Sequence, residues 1–174
     1  MPSKPLIEAY RGIMPTIADN AFVATNACII GDVEIGQQSS VWYGCVVRGD
    51  VNEISIGADT NIQDLTMIHC AELGQGTYLG DRVTVGHSAV LHACTVGNNS
   101  MIGIQACVMD DCEVENNAIV AAGALLPPGK RVPSGEVWAG RPAKKLRDVN
   151  EADLNFIKVN TERYIRLAME YKSR

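Results

Sequence analysis

The chain has 174 residues and a formal net charge of −5, and it is 47% hydrophobic but only 5% aromatic. That supplies aliphatic material for one sizeable core, no basic surplus for nucleic acid, and no 18-residue apolar run to cross a membrane. The N-terminus lacks the apolar stretch of a signal peptide, so the six cysteines are expected to be reduced thiols of a cytoplasmic protein.

Aliphatic residues recur at every sixth position: Ile35, Val41, Val47; Ile56, Ile62, Ile68; Leu79, Val85, Leu91; then Val96, Ile102, Val108, Val114, Val120 and Leu126. A period of six matches neither a helix nor a simple half-buried strand, and it is the mark of a parallel β-helix built from hexapeptides. Each hexad supplies a short strand and a corner, and three hexads complete one coil. Small residues follow the inward aliphatic, as in Ile35-Gly36, Ile56-Gly57, Leu79-Gly80, Val85-Gly86, Val96-Gly97 and Ile102-Gly103, where glycine is expected to accommodate a tight corner. One coil cannot bury its own apolar face, so the coils must stack.

The rhythm breaks at three points. The step from Val47 to Ile56 is nine residues, that from Ile68 to Leu79 is eleven, and that from Leu91 to Val96 is five. Insertions in a solenoid are expected to protrude on one face, often the binding face. These flank Arg48-Gly49-Asp50 and the histidines. The array is expected to end near Pro127-Pro128-Gly129, in a β-helix unit spanning 1–148. A helix then follows in 149–174, from about Asn150 to Tyr171. Asn150 is its predicted N-cap, with Asp153 three residues on. Leu154, Ile157, Thr161, Tyr164, Ala168 and Tyr171 form the predicted packing stripe.

All three histidines, His69, His87 and His92, fall within this array. His69 follows Ile68 and His92 follows Leu91, and the hexads between them amount to one coil. Both therefore lie on the same face, one strand spacing apart, where two imidazoles can share one zinc at about 2.0–2.1 Å each. His87 lies two residues after Val85, on an adjacent face. It is expected to miss that pair in its own chain and to reach the equivalent pair on a neighbour. Three-fold symmetry would then close a ring of identical sites, each with three protein ligands and an open position. The plainer alternative is that the histidines are outward polar residues lining a subunit interface without metal. Cys70 and Cys94 neighbour the histidines, but their offset turns them to the other side of the strand.

Arg48-Gly49-Asp50, then Asn61-Ile62-Gln63-Asp64, then His69, then Gly86-His87 with four residues to His92, together resemble the γ-class carbonic anhydrase family. The resemblance covers nearly the whole chain. It implies an all-β, left-handed β-helix with a C-terminal helix, a homotrimer, and zinc (or iron or cobalt) at subunit interfaces. On that resemblance, His69 and His92 come from one subunit and His87 from the next. Arg48 and Asp50 resemble a pair that ties subunits together beside the site. Gln63 resembles the residue that hydrogen-bonds the metal-bound water, Asn61 and Asp64 its polar support, and Tyr164 a helix tyrosine approaching the site. The implied reaction is attack of zinc-activated hydroxide on CO2 to give bicarbonate.

The sequence departs from the long-looped archaeal members of the family. The segment Cys70–Gly76 holds one carboxylate, Glu72, and Val51 follows Asp50 where an acidic residue is expected. In these two features it resembles the shorter, bacterial branch of the family. The competing readings are a hexapeptide acyltransferase using a single histidine base, a zinc-dependent thioesterase, and a non-catalytic metal-binding trimer. Structural roles compete at single positions: an interface ion pair for Arg48 and Asp50, corner-capping for Asn61 and Gln63, packing for Tyr164, and solvation for Glu72.

Overall fold

The computed structural model describes residues 4–173. Its strands form three parallel ladders around an aliphatic interior. One ladder, the histidine face, runs through the first parts of Cys28–Ile35 and Val46–Ile56, then Met67–His69, Val90–His92, Cys107–Val108 and Leu125–Leu126. A second face is an eight-stranded sheet of Phe22–Val23, Ser40–Val41, Asn61–Ile62, Thr84–Val85, Met101–Ile102, Ile119–Val120 and Glu136–Gly140, closed by the antiparallel Ala143–Asp148. The third takes Thr16–Ile17, the later parts of the two long strands, Thr77–Leu79, Thr95–Val96, Glu113–Val114 and Arg131–Val132.

The hexad residues stack as inward columns. Val47, Ile68, Leu91, Val108 and Leu126 are register neighbours and fully buried, and so are Val41, Ile62, Val85, Ile102 and Val120. Each such side chain contributes about 1.5–3 kcal/mol by leaving water.

Three expectations change. The ladder begins earlier than Ile35, because Ile17, Val23 and Ile29 pair with Ile35, Val41 and Val47. It also continues past Pro127-Pro128-Gly129: Val132 stacks on Val114, and Val137-Trp138 pair with Ile119-Val120. Prolines in corners do not break a ladder whose hydrogen bonds are made by the strands between them. The insertion after Val47 makes no protruding loop. Val46–Ile56 is one continuous strand in which the segment from Asp50 to Glu53 lies opposite Asp32 alone, a bulge that turns the corner between two faces. The insertion after Ile68 does form an excursion, Cys70–Gly76.

The role of glycine also differs. Gly36, Gly57 and Gly80 have ordinary φ, and a Cβ there would meet the next coil within 2.1–2.6 Å. They permit close stacking. The left-handed residue comes two positions later and is often not glycine: Gln38, Asp59, Arg82, Asn99 and Asn117 in one corner, and Leu65, Ser88 and Gln105 in another, all at φ 53–63°. Each left-handed residue from Asp59 and Leu65 upward donates its backbone N–H to a carbonyl of the coil before it, which holds the less favoured conformation in place.

The helix Glu151–Lys172 opens with the expected capping box: Asn150 accepts from the Asp153 N–H at 3.0 Å and Asp153 accepts from the Asn150 N–H at 2.9 Å. It packs on the lower strands of the eight-stranded sheet through Ile157, Thr161 and Ala168. Tyr164 and Tyr171 sit edge-on to Trp42, with centroids 5.4 and 5.3 Å away. Leu154, expected on the packing stripe, is instead exposed. The helix's first turn overhangs the corner ladder at Asn99 and Asn117, where a polar rim leaves no core to enter.

Candidate metal centre and its flanking network

The inward-outward alternation of the short strands sends Ile68 and Leu91 into the core and turns His69 and His92 outward. Arg48, His69 and His92 are register partners on three consecutive coils. His69 Nδ1 faces His92 Nε2 at 3.2 Å. Two nitrogens bound to one tetrahedral zinc at 2.0–2.1 Å stand about 3.3 Å apart. The pair therefore fits a metal held between them.

Each ring is fixed from its far side. Asp50 Oδ1 lies 2.9 Å from His69 Nε2, and Asp110 Oδ1 lies 2.7 Å from His92 Nδ1. The first carboxylate comes from the coil below and the second from the coil above. Carboxylate partners of this kind fix imidazole orientation and raise ligand basicity. Arg48 Nη1 pairs with Asp50 Oδ2 within the same chain. Burial opposes ionisation of Asp50, but hydrogen bonds from His69 and Arg48 outweigh it and hold this carboxyl below the usual range.

Gly49 is what brings Asp50 here. A Cβ on Gly49 would lie 2.3 Å from the Asp32 carbonyl, and one on Gly31 would lie 2.2 Å from the Gly49 carbonyl. The two coils meet backbone to backbone, so neither position admits a side chain. That explains the middle residue of Arg48-Gly49-Asp50 without any adhesion role.

His87 sits elsewhere, on the corner between the eight-stranded sheet and the histidine face. Its Nδ1 is 2.9 Å from Asp64 Oδ2. Beside it lies a cavity of about 360 Å³ reached by Gln63, Met101, Ile104, Phe156 and Tyr164. Gln63 Nε2 donates to Asn61 Oδ1 at 3.1 Å, Asn61 Nδ2 donates to Thr84 Oγ1 at 2.9 Å, and Asn160 of the helix donates to the same hydroxyl at 3.2 Å. Burial, and then the Asp64 charge, push the Tyr164 phenol above its ordinary pKa.

The candidate residues thus divide between two edges: Arg48, Asp50, His69 and His92 on one, and Asn61, Gln63, Asp64, His87 and Tyr164 on the other. Among the described residues, no set of three His, Cys, Asp or Glu side chains is disposed to hold a metal within one chain. All six cysteines are free, and Cys70 and Cys94 are buried, pointing away from the histidines. Glu72 is exposed on the Cys70–Gly76 excursion.

Comparison with known proteins assigns the chain. A bacterial transferase hexapeptide model of six repeats matches residues 93–128. A probable carbonic anhydrase of Methanocaldococcus jannaschii is 39% identical over 157 residues, covering 90% of this chain and 98% of the relative. The chain belongs to the γ-carbonic anhydrase-like family of hexapeptide-repeat proteins. A second member, the mitochondrial γ-carbonic anhydrase 2 of Arabidopsis thaliana, is 48% identical over 164 residues, which is 91% of this chain. The chain spans only 59% of that curated relative's length. A crystal structure of a hexapeptide transferase family protein from Anaplasma phagocytophilum aligns with a TM-score of 0.92 at 48% identity, covering 95% of this chain and 98% of that one.

One residue beside the histidine pair is not found by sequence reading. Asp110 lies 18 residues beyond His92, about one coil, and reaches back to it. One coil forward from His92 lies Met109, and Asp110 is the corner residue that follows it.

Proposed function

We propose that this chain is a metal-dependent, carbonic anhydrase-like lyase that interconverts CO2 and bicarbonate at sites shared between the subunits of a cytoplasmic homotrimer. One observation carries the reading. The chain presents two complementary half-sites, a facing pair of imidazoles and a lone third imidazole, each ring backed by its own carboxylate. His69 and His92 of one subunit and His87 of the partner subunit would hold the ion. A heterologous contact of this kind closes into a ring. Its apolar lining is at hand, since Leu65, Met67, Val90 and Ile104 are exposed around the histidines.

The ion is zinc, with iron and cobalt as alternatives. When bound, such an ion acts as a Lewis acid and brings the pKa of a bound water to about 7. The chain's own residues do the rest. With its Nε2 committed to Asn61, Gln63 offers Oε1 as an acceptor that orients the attacking water. Asn61, Thr84 and Asn160 lock that amide, so its orientation needs no reorganisation during the reaction. Asp50 and Asp64 keep His69 and His87 aimed. Tyr164, with a raised pKa, stays a neutral hydroxyl donor at the rim.

The test is metal content per chain measured with stopped-flow CO2 hydration on the same zinc-loaded sample. The expected result is about one zinc per subunit and hydration abolished by chelation. Zinc without hydration would move the function to hydrolysis or binding. No zinc would sink the reading. The description of the Anaplasma structure as a transferase keeps acyl transfer as the second reading. That chemistry needs one histidine base and would survive chelation.

A further inference from the structure

Resting on the proposed metal site, we infer that Asp110 is a positioning residue for His92, fixing the tautomer that turns Nε2 toward the shared site. The two stacked rings are clamped in opposite directions, Asp50 rising from the coil below to His69 Nε2 and Asp110 descending from the coil above to His92 Nδ1. His92's direct neighbour in the upper coil is Met109, which has no acceptor suited to an imidazole N–H, so the corner residue takes over that task.

The platform under Asp110 is fixed on both sides. Its carbonyl accepts from the Gly129 N–H at 2.8 Å, and the next residue, Asp111, donates its N–H to the Ala93 carbonyl at 2.8 Å. Asp111 takes the left-handed conformation at φ 57°, and that turn leaves the Asp110 side chain over His92. A surface ion pair between long flexible side chains contributes little. A short carboxylate on a pinned corner, 2.7 Å from a ring whose other nitrogen faces His69, acts differently. With Nδ1–H donated to Asp110, the lone pair resides on Nε2, and the ring cannot flip without losing the bond.

The experiment uses the full chain with zinc as the probe. Zinc affinity is measured by chelator competition for wild type, Asp110→Ala, Asp110→Asn and the neighbouring Asp111→Asn, with assembly followed by sedimentation. The tautomer of His92 is read by 15N NMR on metal-free protein. Asp110→Ala is expected to weaken zinc binding 10–100-fold with assembly intact, and to abolish the uniform Nδ1–H tautomer. Asp110→Asn is expected to fall in between, because its amide oxygen can still accept the bond. Asp111→Asn, which keeps a residue suited to the left-handed turn, is expected to bind as wild type does. Unchanged affinity and an unchanged tautomer in Asp110→Ala would overturn the inference. If wild type itself binds no zinc, the metal reading fails, and the tautomer measurement alone then decides the role of Asp110. Should Asp110→Ala fail to assemble, the same measurement on Asp110→Leu, of similar size but without an acceptor, decides by the same two outcomes.

Discussion

The two edges of the molecule hold their histidines in different ways. On the histidine face, His69 and His92 are consecutive rungs of one ladder, and strand register sets their rings side by side, tilted 45° to each other with a nitrogen of each turned to the other. On the neighbouring corner, His87 stands alone over Asp64, beside an amide network tied to the helix through Asn160. The first arrangement follows from the repeat. The second requires an added element to complete its surroundings. A ladder readily supplies paired side chains on one face, and in the proposed site the third ligand, at a different azimuth, would come from another copy of the ladder.

The largest expected effect separates these edges directly. His69→Ala and His87→Ala should each lose bound metal. Mixed in equal amounts through unfolding and reassembly, they should regain about one quarter of intact sites by random pairing around a closed ring. Metal analysis of the mixed trimer checks this, and no recovery would show that the sites are not shared. Next is the ladder beneath the pair. Leu91 is fully buried directly beside His92, and Leu91→Ala should cost about 2–5 kcal/mol in denaturant unfolding. A loss well below that would mean that the coils slide to refill the space. Third, Asp64→Asn removes the carboxylate from the lone histidine and should weaken zinc binding about tenfold. A change confined to Tyr164 titration, with affinity intact, would give Asp64 to the tyrosine instead.

The smallest effect lies farthest from the site. The Arg147 guanidinium, together with the Asn150 N–H, holds the Asp153 carboxyl at about 2. That lies below the roughly 3.9 of an unfolded aspartate. Its contribution is therefore complete above about pH 4 and fades as the pH falls toward 2. Asp153→Asn should cost about 1 kcal/mol at pH 7 and almost nothing near pH 2. Thermal melts at the two pH values compare them.

Much of this was legible in the sequence, and the exceptions have physical causes. The columns from Ile35 to Leu126 followed from period alone, because every inward position needs a branched aliphatic of similar size. Ile17, Val23 and Ile29 keep the same step of six, so extending the period toward the N-terminus finds them as well. Val132 was hidden by flanking prolines. The capping box of Asn150 and Asp153 was readable because it is local, whereas Leu154 was misplaced because its burial depends on where the sheet ends. Asp110 was invisible for a related reason: its partner is one coil away, and its neighbours in sequence carry no hint of it. The bulge from Asp50 to Glu53 read as a loop because length alone does not tell a widened strand from an excursion.

The antiparallel strand Ala143–Asp148 has a consequence beyond its own ladder. A stack of parallel coils has no natural length, since its last rung exposes the same row of amides and carbonyls as every rung before it. Here the chain doubles back at Gly140 and lays a reversed strand carrying Lys144, Lys145 and Arg147 along that rung. A second solenoid arriving end-on at this face would meet a strand of reversed polarity. The hairpin thus ends the eight-stranded face with a strand that a further parallel coil could not continue.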